Sequence, residues 1–320
     1  MGNLEKPHFE EALNLVLQGY REEGRSVPFL PPEEEVKETI SKQLKALIET
    51  GKGVVALRDG ELKGFLAGFS VNQLFGSCSG VYIPIFGNGA SRENRQEIFR
   101  EMYIRAAENW VGEKQYCHAI TTFAHHRETI DNWFWLGFGL RCVDGIRKAE
   151  RIKVSRTGLE IIKKAGMEDL PLITPLYSSH CSYYSNSPIF MPVSPGTPLE
   201  ELKKWLAGEN HHLWFALREG KPAGYIQIEP VGETFVSRHP SVMNITGAYV
   251  EEKSRGKGIG KILLSGVQDW LIEKGYSLCG VDFESFNPAG SVFWNSFFSP
   301  YTFSLVRRID ERVGRVKKNA

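Results

Sequence analysis

Three hundred and twenty residues are too many for one ordinary domain and enough for two, each with its own core. Thirty-nine Lys and Arg against 38 Asp and Glu leave a formal net charge of +1, which sets up no long-range field for a nucleic-acid backbone or an anionic bilayer. No run approaches the roughly 20 apolar residues that span a membrane, and the opening residues are too polar and acidic for a signal peptide. Five scattered cysteines without a C-x-x-C pair read as reduced thiols, so a cytoplasmic chain is expected.

A shift of 160 positions lays Ala56-Leu57-Arg58-Asp59-Gly60 on Ala216-Leu217-Arg218-Glu219-Gly220. It also lays Trp110 on Trp270, Tyr116 on Tyr276, Phe123 on Phe283, Phe138 on Phe298 and Arg147 on Arg307. One ungapped register over most of both halves predicts a duplicated domain, 1–150 and 151–320. The first copy starts short, because Ile161 falls on Met1. Its first strand is therefore absent or borrowed, and the tail after Arg307 is the spare segment able to fill the place.

In the second half, Leu159 to Lys164 reads as a strand, and Met167-Glu168-Asp169-Leu170-Pro171 as a helix start with carboxylates and proline in the first turn. Ser178 to Pro198 reads as a loop-rich stretch, followed by a helix near Leu199 to Ala207. His212 to Arg218 and Ala223 to Glu229 form a hairpin about Glu219-Gly220-Lys221-Pro222. A strand from Asn244 to Val250 leads to a helix whose Ile259, Leu263, Val267, Trp270 and Leu271 share one face, and Gly275 stops it. Leu278 to Glu284 is a strand, Pro288 to Phe297 a short helix and Tyr301 to Arg307 the last strand.

The informative stretch is Arg255-Gly256-Lys257-Gly258-Ile259-Gly260-Lys261, placed between a strand and a helix. Three glycines in five residues allow backbone N–H groups to approach an anion, and the helix N-terminus adds unpaired donors and its dipole. Neither the Walker A spacing nor the dinucleotide fingerprint is met, since Ile262 follows Gly260-Lys261 and Lys261 stands where a third glycine would belong.

R-x-x-G-x-G, with Val250 five residues before the arginine, resembles the coenzyme A pyrophosphate loop of the GNAT superfamily of N-acetyltransferases. Asn287-Pro288-Ala289-Gly290 followed by Phe293-Trp294 is similar to that family's asparagine-headed segment. The resemblance covers the second half. It implies an α/β fold, a mixed and largely antiparallel sheet flanked by helices, as two tandem GNAT-like acyl-CoA N-acyltransferase domains. It further implies that Val250, Arg255, Gly256, Lys257, Gly258, Ile259, Gly260, Lys261 and Asn287 bind acetyl-CoA, with the pantetheine arm in a splay between the strand ending at Val250 and the strand around Val281. In the first half Arg95 matches Arg255, but Ile98 and Arg100 replace Gly258 and Gly260. That lobe is expected to be degenerate, and Ile98→Glu to leave binding unchanged.

The resemblance implies transfer of an acetyl group from acetyl-CoA to an amine in a ternary complex. Trp294 stands where many members place a tyrosine acid, and Asn244 on the strand where some carry a glutamate base. Asp282 and Glu284, two residues apart and so on one strand face, remain as candidates for catalysis or as an ordinary polar face, with Tyr301 as a possible acid. Tyr249 is a pocket wall, and Tyr183, Tyr184 and Trp294 are candidate acceptor contacts. His125-His126 and His211-His212 lack a third ligand at a telling spacing, so no metal is expected. The alternative is an acyl-CoA sensor without turnover. The acceptor is expected to be a small-molecule or peptide amine, with no nucleic-acid or membrane partner, and the chain to be a monomer.

Overall fold

The computed structural model describes residues 1–50, 52–154, 160–192 and 196–316. Its contacts divide into two compact units, Met1–Asp144 together with the chain from Pro300 onward, and Gly145–Ser299.

The first unit opens with β1 (Gly2–Asn3), α1 (Phe9–Ser26) and α2 (Glu33–Glu49). Strands β2 (Gly53–Arg58), β3 (Glu61–Ala67), β4 (Phe69–Val71), β5 (Gly80–Ile83) and β6 (Asn88–Ala90) follow. Then come α3 (Arg95–Gly112), β7 (Cys117–Phe123), α4 (Arg127–Trp135) and β8 (Gly139–Lys148). One sheet is ordered β1-β2-β3-β6. β1 fills the first-strand place, pairing Gly2 with Val55 and Asn3 with Val54, so the strand expected to be absent or borrowed comes from the chain's own first residues.

The second unit runs β9 (Glu160–Lys164), α5 (Leu170–Ser185), α6 (Pro198–Leu206), β10 (His212–Arg218), β11 (Lys221–Glu229), β12 (Val242–Val250), α7 (Ile259–Lys274), β13 (Leu278–Glu284) and α8 (Pro288–Asn295). Strands β9 to β12 are antiparallel neighbours in sequence order, and β13 joins β12 in parallel. Leu159, the expected first residue of β9, lies outside the described residues. The last strand, β14 (Ser299–Arg308), returns to the first unit and pairs antiparallel with β7, from Thr302 opposite Phe123 to Arg308 opposite Cys117. The boundary expected at 151–320 therefore differs at its end, because these residues hydrogen-bond to a first-unit strand.

The 160-residue spacing recurs in local geometry. The β2–β3 hairpin shifts register between Ala56 and Leu57, and the β10–β11 hairpin between Ala216 and Leu217. Arg95 Nε donates to the Ala90 carbonyl at 3.3 Å, and Arg255 Nε to the Val250 carbonyl at 3.1 Å.

One expected loop is a helix. Residues 178–185 continue α5 to Ser185 despite their serines, whose hydroxyls turn back to carbonyls three or four residues earlier, as Ser178 does to Thr174 and Ser182 to Ser178. Such residues carry little helical propensity. The helix is held by packing: Leu170, Ile173 and Leu176 cluster with Leu202, Leu213, Phe215 and Tyr225.

Candidate active site

β12 and β13 pair only over four positions, from Val242 opposite Leu278 to Ile245 opposite Val281. β12 continues five residues beyond and β13 three, without further pairing. The cause lies on the other edge of β12. Gln227 faces Gly247 and Ile228 faces Ile245, so Thr246 is an extra residue in the β11–β12 ladder. A bulge of this kind bends and twists its strand, and here it turns the end of β12 away from β13.

The gap opens into a cavity of about 660 Å³. Its lining includes Ile245 to Val250 from β12, Val281 to Glu284 from β13, the Arg255–Lys261 turn and His180, Tyr183 and Tyr184 from α5. At one end, Gly256 has φ +72° and Gly258, the N-cap of α7, φ +84°. An added Cβ at either would meet nothing within 4 Å, so backbone conformation alone requires glycine there. At Gly260 a Cβ would lie 3.2 Å from the Phe293 ring, close enough that the ring would have to give way slightly. The turn thus presents α7 backbone N–H groups with no side chain in front of them, beside Arg255 and Lys261.

Arg255 is held by the Val250 carbonyl, with its guanidinium 4.5 Å from the centre of the Tyr183 ring and 5.6 Å from that of Tyr249. Tyr183 donates to Asn287 Oδ1 at 2.9 Å, and the same oxygen accepts the Gly290 N–H at 3.1 Å to cap α8. Tyr183 therefore ties the segment after β12 to the segment after β13.

The other end is acidic. Asp282 is open to the cavity, yet the protein around it and the carboxylates of Glu233, Glu284 and Glu229 push its pKa up to about 6. Burial, with Glu284 and Asp282 nearby, pushes Tyr184 up to about 12. His180 accepts from or donates to the Tyr225 hydroxyl through Nδ1 at 2.6 Å, and burial followed by the nearby Arg255 charge holds it down at about 4.

Of the residues singled out in the sequence, Val250, Arg255, Gly256, Gly258, Ile259, Gly260, Lys261, Asn287, Asp282, Glu284, Tyr183, Tyr184 and Trp294 all line this one cavity. Two do not. Lys257 turns outward, its Nζ donating to the Lys253 carbonyl at 2.7 Å. Tyr301 is buried in the first unit, where its carbonyl accepts the Ala124 N–H, and is not among the residues that line the cavity. Asn244 is buried and structural: its Nδ2 donates to the carbonyls of Ser237 at 2.7 Å and Pro230 at 3.3 Å, pinning the loop that carries Glu233. Tyr225 and His180 are among the lining residues that sequence reasoning missed; a buried tyrosine on a hairpin strand gives no local sign that its hydroxyl meets a histidine 45 positions away.

The corresponding region of the first unit is built differently. α3 begins at Arg95, so Ile98 is already inside the helix and packs in the core with Phe99, Met102 and Tyr103. Ile98→Glu would therefore disturb that core, and the exposed Arg100 is the better control. Where β12 is continuous, the first unit has β5 and β6 separated by Pro84–Gly87. Asn88 Nδ2 bridges the break, donating to the carbonyls of Pro84 and of Thr121 on β7, both at 3.0 Å. The Glu22 carboxylate takes Arg95 at 2.8 Å and Arg92 at 2.7 Å.

Comparison with known proteins agrees with this geometry. Residues 176–289 match the Acetyltransferase (GNAT) family. No curated protein matches the chain. A GCN5-related N-acetyltransferase from Sphaerobacter thermophilus superposes with a TM-score of 0.52 at 11% identity, over 83% of this chain and 85% of that one. The GCN5-related glucosamine N-acetyltransferase region of a fungal multi-domain GH3 beta-N-acetylglucosaminidase gives 0.51 at 11% identity, over 93% of this chain and 37% of that one. The fold is that of the GNAT acyl-CoA N-acyltransferases, and the match to that family falls on the segment that forms most of the cavity.

Proposed function

We propose that the second unit transfers an acetyl group from acetyl-CoA to an amine, and that the first is a degenerate copy of the same lobe. The observation that carries the reading is the joining, in one cavity, of a parted strand pair and a glycine-lined helix N-terminus. The N–H groups of the turn, with Arg255 and Lys261, would hold the pyrophosphate, and the unpaired edge of β12 would hydrogen-bond the pantetheine amides like an added strand.

An amine with a pKa near 10 arrives as ammonium. Asp282, with its pKa pushed up to about 6, would take its proton. The nitrogen lone pair then forms the C–N bond, the C–S bond breaks, and a second proton from the nitrogen ends on the coenzyme A sulfur or in solvent. The first unit lacks the means to bind coenzyme A, because Asn88 bridges its strand gap and Glu22 occupies the arginine pair.

Calorimetric titration with acetyl-CoA tests the reading directly. One site per chain is expected, lost in Gly258→Glu and kept in Arg100→Glu, with thiol release on adding an amine panel. Two sites would refute the degenerate lobe. Binding without turnover across the panel would turn the conclusion to an acyl-CoA sensor, and no binding would refute both.

A further inference from the structure

His180 is a polar side chain of the cavity with no place in that scheme. Three aromatic rings fix its imidazole: it stacks on Tyr249 with centroids 5.3 Å apart at 27°, and meets Tyr184 at 5.0 Å and Tyr225 at 5.8 Å, both edge-on. Its Nδ1 lies 2.6 Å from the Tyr225 hydroxyl, and Nε2 has no hydrogen-bond partner among the described residues. Tyr225 is fully buried, and its hydroxyl has no other hydrogen-bond partner among them. Burial raises the phenol's pKa well above 10, so it keeps its proton, and Nδ1 is where that proton goes. An imidazole that accepts at Nδ1 carries its own hydrogen on Nε2.

The ring that His180 stacks on belongs to Tyr249, on the part of β12 that has parted from β13. The charged group facing the imidazole is Arg255; the other titratable neighbours are Tyr184, Tyr225 and Tyr249. A cation on one side and three neutral phenols on the others disfavour imidazolium, so the group stays a neutral donor.

We propose that His180, with its tautomer set by Tyr225, is a catalytic residue that donates Nε2–H to the negative charge developing on the thioester as the amine attacks. This rests on the acyl-transfer reading. The donor acts on charge that grows in the transition state, so it is expected to change kcat more than substrate binding. Tyr225 is a positioning residue, acting through the imidazole.

The test combines kinetics with nitrogen NMR of the ¹⁵N-labelled full chain. His180→Ala is expected to lower kcat about a hundredfold with the KM for acetyl-CoA little changed. His180→Gln, which restores an N–H donor, recovers part of that loss. In the wild type the His180 nitrogens report a neutral Nε2–H tautomer across pH 6–8, and Tyr225→Phe mixes the two tautomers. An unchanged kcat in His180→Ala overturns the assignment, as does equal loss in the Gln and Ala variants or a wild-type Nδ1–H tautomer. If wild type binds no acetyl-CoA by calorimetry, the acyl-transfer reading falls and takes the assignment with it. Wild-type binding and turnover with unchanged kcat in His180→Ala removes the histidine alone.

Discussion

Asp282 shows how a single side chain gains its chemistry from its surroundings. An aspartate pushed up to about 6 is ionised at neutral pH but still close enough to it to exchange a proton there. If it is the base, kcat/KM rises with pH through about 6, and Asp282→Asn removes that limb and lowers kcat by roughly 10²- to 10⁴-fold, as a pH–rate profile would register. Stability runs the other way. A carboxylate whose folded pKa is raised costs stability once it ionises, progressively from its unfolded value near 4 up to about 6 and fully above. Asp282→Asn should therefore melt higher than wild type at pH 8, and the two melting temperatures should converge below pH 4.

The glycines of the turn separate conformation from contact in a similar way. Gly258→Ala places a Cβ in open space but in a left-handed backbone, so a cost of about 1 kcal/mol is expected in denaturant unfolding. Gly258→Glu adds the same strain and also a negative charge where the pyrophosphate would lie, so its loss of acetyl-CoA binding should far exceed any loss of stability.

Among the elements, those with strong periodicity or turn chemistry were legible from residue order. The Ile259–Leu271 face and Gly275 gave α7, whose C-cap glycine has φ +81°, and the Leu278–Glu284 run is β13 to the residue. The end of α5 was not legible, because Ser-Ser-His-Cys-Ser-Tyr-Tyr-Ser favours turns locally and is helical through contacts made far along the chain. Tyr183 and Tyr184 were legible only as candidate acceptor contacts, and the bonds of His180 to Tyr225 and of Tyr183 to Asn287 depend on helical presentation. The bulge at Thr246 was equally hidden, since it is a property of how two strands register.

The helix and strand substitutions in the first unit give a further prediction. Burial alone would raise the Glu22 pKa, but hydrogen bonds from Arg95, Arg92 and Gln18 outweigh it and hold the carboxylate at about 2. A depressed folded pKa contributes stability that is present above the unfolded value and is lost as pH falls towards 2. Glu22→Gln is expected to cost roughly 2 to 3 kcal/mol at pH 7, with the difference from wild type shrinking steadily in acid, as urea titrations at several pH values would show.

At the scale of the whole molecule, the 160-residue register has counterparts in local geometry: the same hairpin register shift and the same arginine-to-carbonyl bond occur in both units. What it could not reveal is which strands the chain's last segment joins, since β14 has the same composition whichever partner it takes. No described helix is long and apolar enough to cross a membrane.

The return of β14 to β7 has a bearing on biosynthesis. Gly145–Ser299 is one continuous stretch of chain, so every residue of that unit is synthesised before Pro300 is added. The first unit is discontinuous: although it is begun first, the edge of β7 waits for Thr302–Arg308, and its longest-range pairing joins residues more than 170 positions apart. Pairings so distant in sequence form slowly. The unit with the cavity is thus made in one piece, while the first unit, begun earlier, keeps a bare edge on β7 until Thr302–Arg308 have followed.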